Sequence, residues 1–305
     1  MTIAAPEGFA ARLIRAVAAR ESQIVLGLDP DPARLWPEAL AAAPASGSPA
    51  DRAAAAVAAH CRAVIDAAGP ACVAVKPQLA CFERLGAAGW SALADTAAHA
   101  QAAGLLVLAD GKRGDIDVSA AAYAQALAGS TPTPFGEVAG LGADAFTVNP
   151  YMGRDTLAVL ADGARAGGAG VFVLVRTSNP GAADVEDLPV DGGQAVWERV
   201  AALVAGLDED TEPLSDIGAV VGATAPEHVG RLRELMPRAP FLLPGVGAQG
   251  GRVEDLAPAF APGRAAGLVT ASRSIVRAHE QAGGDPGAAA RTEAERLRAA
   301  AWGLS

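Results

Sequence analysis

The stretch Leu105-Leu106-Val107-Leu108-Ala109-Asp110-Gly111-Lys112-Arg113-Gly114-Asp115 is a short apolar run that ends abruptly in glycine and charge. An apolar run of this length, bounded by glycines, reads as a strand. The same form recurs along the chain, at 24–29, 72–77, 105–110, 145–149, 171–177, 217–223, 241–246 and 267–271, and each run is followed by a longer Ala-rich stretch of helical character. Strands of this length alternating with helices make βα units and a parallel sheet, and eight of them argue for a closed (β/α)8 barrel in the α/β class. The rival, a doubly wound open sheet, usually has fewer strands and a Gly-rich first turn. Here the first run ends in Leu28-Asp29-Pro30-Asp31-Pro32, with no GxGxxG.

A single barrel domain over 1–305 accounts for the pattern, with additions at its edges. Phe9, Leu13 and Val17 recur at helical spacing and predict an amphipathic first helix. Loops are expected near 41–51, 129–142 and 180–193, and a last helix at about 287–300 carries Glu293, Glu295, Arg296 and Arg298 on the outside. The acidic, turn-rich loop after the fifth strand reads equally as a lid or as an insertion. Long loops after barrel strands lie on the face that carries function.

The chain holds 305 residues, 51% hydrophobic, with a net charge of −10. An acidic protein is not a general binder of nucleic acid or of an anionic membrane, so any anionic ligand requires a local positive site. No apolar run approaches a membrane span, and the N-terminal stretch lacks a signal-peptide core. Cys61, Cys72 and Cys81 form an odd set without CxxC, which predicts neither a disulfide framework nor a zinc site and suits a reducing cytoplasm.

Of 24 basic residues only two, Lys76 and Lys112, are lysine. Arg keeps its proton at accessible pH, whereas Lys can release one and acts as a compact point charge. Both lysines fall at the C-terminal ends of predicted strands, where barrel enzymes place their chemistry, and not on solvent-facing helices. Asp110 and Lys112 are two apart, so on extended backbone they share a face. Glycines 111 and 114 allow a sharp turn close to a ligand. A lysine between Asp110 and Asp115 is held protonated, a poor Schiff-base nucleophile and a plausible proton donor. Alone, DxKxxD fits a loop salt bridge with a helix cap equally well.

At this motif the chain resembles the orotidine 5'-phosphate decarboxylase superfamily, in details most like its longer, type 2 subfamily. The resemblance extends over nearly the whole chain: Gly27-Leu28-Asp29-Pro30, Lys76-Pro77-Gln78, Thr147 to Gly153, Arg176-Thr177-Ser178-Asn179-Pro180, Pro244 to Gly251 and Ala271-Ser272-Arg273-Ser274-Ile275 follow the family's strand ends in order. It implies a lyase that converts orotidine 5'-phosphate to UMP and CO₂ in pyrimidine biosynthesis, with no metal and no organic cofactor. Lys112 would protonate the C6 carbanion and Asp110 would face the substrate carboxylate. Lys76 would hold Asp110 and meet the ribose beside Asp29. Asn149, Thr177 and Ser178 are implied as substrate contacts, with Thr177 and Ser178 not separated as the pyrimidine contact. Gly245, Gly247, Gln249, Gly250, Ser272 and Arg273 are implied at the phosphate, the glycines through backbone N–H groups and Arg273 through its planar fork. A homodimer is implied, with Asp115 acting in the partner's site. Ser119 stands where the family often has Thr contacting the partner's substrate, and Asp117 adds a charge beside it.

Sugar-phosphate members of the superfamily share DxKxxD but use Mg²⁺ and usually an acidic residue after the second strand, the place held here by Lys76. A non-catalytic nucleotide-binding barrel would not need so dense a buried charge cluster. His60, His99, His228 and His279 lack metal-ligand spacing and read as packing or surface residues. Asp144 and Asp155 read as caps or turns.

Overall fold

A computed structural model describes residues 7–190, 192–208 and 213–305. Eight of its strands close a parallel barrel: β1 (Ile24–Leu28), β2 (Ala74–Pro77), β3 (Leu106–Arg113), β6 (Ala145–Val148), β7 (Gly170–Arg176), β8 (Ile217–Val221), β9 (Phe241–Pro244) and β10 (Gly267–Ala271). They neighbour one another in chain order, and β10 returns to pair with β1 through Ile24 with Val269 and Val25 with Thr270. All eight predicted strands are present. Every residue of β1, β8 and β10 is buried, as expected where the barrel interior covers one face and helices the other.

The first helix, Phe9–Arg20, closes the N-terminal end of the barrel. Its Phe9, Leu13 and Val17 join the interior cluster of Val25, Leu108, Phe172, Leu242 and Leu268, and the Phe9 ring meets Phe172 edge-on at 5.8 Å. Two carboxylates fix this plug. Asp216 Oδ1 accepts from the Ala10 N–H at 2.6 Å, and Asp144 pairs with Arg12 while accepting from the Val107 N–H at 2.8 Å. Asp144, expected as a cap or turn residue, is therefore a buried tie between helix and barrel. With this end filled by the helix, the barrel opens at its C-terminal mouth.

The stretch 129–142, expected as a loop, contains an antiparallel hairpin of β4 (Ser130–Thr133) and β5 (Gly136–Ala139), outside the barrel. Its strands are short and bury no face, and β4 carries Pro132, so no apolar alternation announced them. Phe135 at the tip is fully exposed. The last helix runs Pro286–Leu304, capped by Asp285, whose Oδ1 accepts from the Ala288 N–H at 2.7 Å. No helix is long and apolar enough to cross a membrane among the described residues.

Candidate active site

The C-terminal mouth opens into a cavity of about 660 Å³. Lys76 on β2, Thr147 on β6, Val220 on β8 and Thr270 on β10, which come from alternate barrel strands, all face it. The chemistry concentrates on one side of this floor. Asp110 on β3 is buried, and four donors surround its carboxylate: Lys76 Nζ at 2.5 Å and Gln78 Nε2 at 3.2 Å on Oδ2, Lys112 Nζ at 2.6 Å and the Thr147 hydroxyl at 2.8 Å on Oδ1. The two lysines are not equivalent. Lys76 is buried, while the Lys112 side chain is 43% exposed and stands at the cavity wall.

Local backbone explains how the two ammonium groups reach one carboxylate. The register of β3 against β6 shifts between Ala109 and Arg113, and within this irregularity Lys112 adopts φ +48. Asp110 and Lys112 thus converge through a left-handed turn, not through the simple extended alternation expected from their spacing. The Lys112 N–H donates to Thr147 Oγ1 at 2.9 Å, so the same hydroxyl anchors both the Asp110 carboxylate and the Lys112 backbone. Gly111 keeps this turn close to Leu79, since a Cβ there would lie 2.6 Å from Leu79 Cδ1 and the leucine would have to shift. Arg113 points away and pairs with Glu83.

The electrostatics are mutual. Burial pushes the Asp110 carboxyl up, but the Lys76 and Lys112 charges and their hydrogen bonds outweigh it and hold the group well below the usual carboxylate range. Burial pushes the Lys76 ammonium down, yet Asp110 and then Asp29 more than reverse this and raise it above its ordinary value. Both groups are ionised throughout the neutral range.

Around this network the mouth places Asp29 after β1, Thr177, Ser178 and Asn179 after β7, Gly245 and Gln249 after β9, and Ser272, Arg273 and Arg277 after β10. The glycine-rich turn differs from expectation. The Gly247, Gly250 and Gly251 N–H groups donate to the Gly251, Gly247 and Gly245 carbonyls at 2.9, 2.9 and 3.0 Å, and so are engaged within the turn. Gly245, Gly247 and Gly250 have φ of 107, 77 and 92, a path that favours glycine and brings Ala248 and Gln249 to the cavity. Gly247 and Gly250 do not line it.

Asn149, Asp115 and Ser119 also lie outside the cavity lining. Asn149 Oδ1 accepts from the Tyr151 N–H at 2.9 Å, and Asp115 Oδ1 from the Ile116 N–H at 2.8 Å. Ser119 is exposed, and Ile116, Val118, Tyr151 and Met152 in the same two loops and following helix are exposed apolar side chains. Among the described residues no group of three His, Cys, Asp or Glu side chains could hold a metal ion. Cys61 and Cys72 are buried free thiols that burial pushes up to about 12. His60 is also structural: its Nδ1 accepts from the Trp36 N–H at 3.2 Å, and burial, with His279 nearby, pushes it down to about 4.

Three participants were not singled out from the sequence. Gln78 and Thr147 stand inside quoted motifs, but their contact with Asp110 depends on neighbouring strands meeting in space. Thr270 is buried in the cavity floor, and its hydroxyl has no hydrogen-bond partner among the described residues.

A closed barrel whose C-terminal mouth sets a buried aspartate between two lysines has the build of the class of (β/α)8 barrel enzymes. Within that class, the chain belongs to the orotidine 5'-phosphate decarboxylase / HUMPS family, which it matches over residues 22–292. It is 42% identical over 276 residues to an orotidine 5'-phosphate decarboxylase of Rhodopirellula baltica, covering 90% of this chain and 89% of that one. Among solved structures, a putative orotidine 5'-phosphate decarboxylase from Streptomyces avermitilis superposes with a TM-score of 0.77 at 36% identity, over 100% of this chain and 97% of the other. The structure of Leishmania donovani UMP synthase matches with a TM-score of 0.72 at 32% identity, over 97% of this chain but 57% of that longer one.

Proposed function

We propose that the chain decarboxylates orotidine 5'-phosphate to UMP and CO₂ without a metal or organic cofactor. The observation that carries this reading is the Asp110 carboxylate, fixed by Lys76 on one oxygen and Lys112 on the other at the wall of an open cavity. A substrate carboxylate brought against the buried Asp110 carboxylate meets a like charge. As the C6–carboxyl bond breaks, its electron pair stays on C6 and CO₂ leaves. Lys112 offers preorganised positive charge to that carbanion and delivers one proton from Nζ to C6. Solvent restores the proton, since the side chain is accessible. Lys76, buried and permanently charged, acts by holding Asp110 and meeting the ribose beside Asp29. Arg273, Gln249, Gly245 and Ser272 receive the phosphate, with Gly247 and Gly250 shaping the turn behind them. Incubation with orotidine 5'-phosphate should yield UMP, resolved chromatographically; unchanged substrate would sink the proposal.

The unit that acts is taken to be one barrel domain working as a homodimer in the cytoplasm. Asp115, Ser119 and Asn149 are then assigned to the edge of the partner's site. What supports this is their position outside their own cavity, next to exposed Ile116, Val118, Tyr151 and Met152. Sedimentation should report a dimer, and Asp115→Ala should lower activity; a fully active monomer would remove that assignment.

A further inference from the structure

The loop after β7 is held in an unusual way. Sheet pairing fixes the chain as far as Arg176, whose carbonyl accepts from the Gly222 N–H at 2.7 Å, but the β7–β8 register has already shifted between Leu174 and Arg176. The ladder does not reach Thr177. A carboxylate from the inserted loop takes over. Glu186 Oε2 accepts from the Thr177 N–H at 2.8 Å, and its Oε1 lies 2.8 Å from the Thr177 hydroxyl. Arg176, itself buried, fastens the same loop through a two-pronged contact with Asp187 at 2.9 and 3.0 Å and a longer one to Glu186 at 3.4 Å. The far side is tied down as well, since the Trp197 and Val196 N–H groups donate to the Glu186 and Leu188 carbonyls at 2.9 and 3.0 Å. Residues 186–188 are therefore a strap pinned at both ends. Residue 191 of the expected acidic loop lies outside the described residues.

This arrangement separates Thr177 from Ser178. Thr177, Ser178 and Asn179 all line the cavity, but the polar groups of Thr177 are engaged: its N–H by Glu186, its carbonyl by Arg176 at 2.9 Å, and its hydroxyl between Glu186 Oε1 and Asn179 Oδ1, the latter at 2.7 Å. Ser178 beside it is placed by its backbone and Cβ alone, its carbonyl held by the Thr224 hydroxyl at 2.9 Å, its backbone against Gly222 and its Cβ against Gly245. At Gly222 an added Cβ would come within 2.8 Å of the Ser178 Cα, so the fit is close.

We infer that Glu186 is a positioning residue for the reaction: by occupying Thr177 it fixes Ser178 as the polar group that this loop presents to the base of the nucleotide. The inference rests on the reading of the site as a nucleotide-binding decarboxylase. The Glu186–Thr177 contacts need two acceptor or donor positions in a plane, and not a negative charge as such. Glu186→Gln retains that geometry, whereas Glu186→Ala removes it.

The test compares two ligands, UMP and ribose 5-phosphate, which share sugar and phosphate but differ in the base. For Glu186→Ala, the Kd for UMP should rise about tenfold, the equivalent of one lost well-placed hydrogen bond, while ribose 5-phosphate binds within about twofold of wild type. Glu186→Gln should restore UMP binding to within about threefold. If Glu186→Ala does not fold, Glu186→Asp, which withdraws the carboxylate by one methylene, serves the same comparison. Unchanged UMP binding in the variant, or equal loss of both ligands, overturns the inference. Wild-type protein that fails to bind UMP at all overturns instead the nucleotide reading beneath it.

Discussion

Replacing Lys76 by methionine keeps the length of the side chain and removes its charge. Asp110 then loses its donor at 2.5 Å and keeps Lys112 at 2.6 Å, Thr147 at 2.8 Å and Gln78 at 3.2 Å. Lys112 compensates only in part, because 43% of its side chain faces solvent and its charge is screened there. Removing one member of a buried ion pair costs about 3–5 kcal/mol, and the three surviving donors place Lys76→Met near the lower end, at about 3 kcal/mol. For 305 residues, with an unfolding entropy of about 2.1 cal/mol/K per residue, Tm should fall by about 5 °C. Asp110→Asn should be destabilising for the converse reason, since it leaves the buried Lys76 ammonium without its counter-charge. The double variant should lose less than the sum of the singles by more than about 1 kcal/mol, as expected of groups in direct contact. Urea unfolding of the four proteins, at constant m, measures this coupling. Additivity within about 0.5 kcal/mol would refute the claim that Lys76 and Asp110 stabilise each other.

The pH dependence follows from the same pair. Asp110 titrates below its unfolded value of about 3.9 and Lys76 above its unfolded value of about 10.4, in the directions set by their partners. The stability from Asp110 is present above about pH 4 and lost as pH falls through its lower folded pKa; that from Lys76 is present below about pH 10 and lost as pH rises through its higher folded pKa. The stability gap between wild type and Lys76→Met should therefore be constant from about pH 5 to 9, and a gap that changes within that window contradicts the assignment. Lys112→Ala should lower turnover by about 10²-fold to 10⁴-fold or more with little loss of stability, because the side chain is partly exposed; Lys112→Arg should fail too, since the fork keeps its proton. Lys112→Gly should be inactive yet about 1 kcal/mol more stable than Lys112→Ala, as glycine relieves the left-handed backbone at φ +48. Thr270→Val should leave stability unchanged or improved, by removing a buried hydroxyl without a protein partner, while weakening UMP binding; a variant that is less stable and binds normally would make Thr270 purely structural.

How much of this was legible in the sequence depended on whether the signal was local. The eight strands announce themselves because a parallel barrel strand is apolar along its whole length, and the lysines because they are two among 24 basic residues. Strand ends then place Asp29, Lys76, Asp110, Lys112 and Arg273 at one mouth. What stayed hidden depends on contacts across strands. Thr147 and Gln78 are unremarkable polar residues until β3 lies beside β2 and β6. The hairpin of β4 and β5 buries no face and so leaves no hydrophobic period. The strap of Glu186 and Asp187 reads as an acidic loop, because its partner Arg176 sits at the end of a strand ten residues away. The glycines after β9 point correctly to a turn, but which N–H groups the turn consumes is set by its own hydrogen bonds.

The most direct measurement is the release of CO₂ from orotidine 5'-phosphate by EDTA-treated protein, with Lys112→Ala run beside it. The wild type should keep full activity in chelator, and the variant should lose it by orders of magnitude. Activity that disappears with EDTA and returns with Mg²⁺, or a Lys112→Ala protein that turns over normally, would contradict the proposed mechanism.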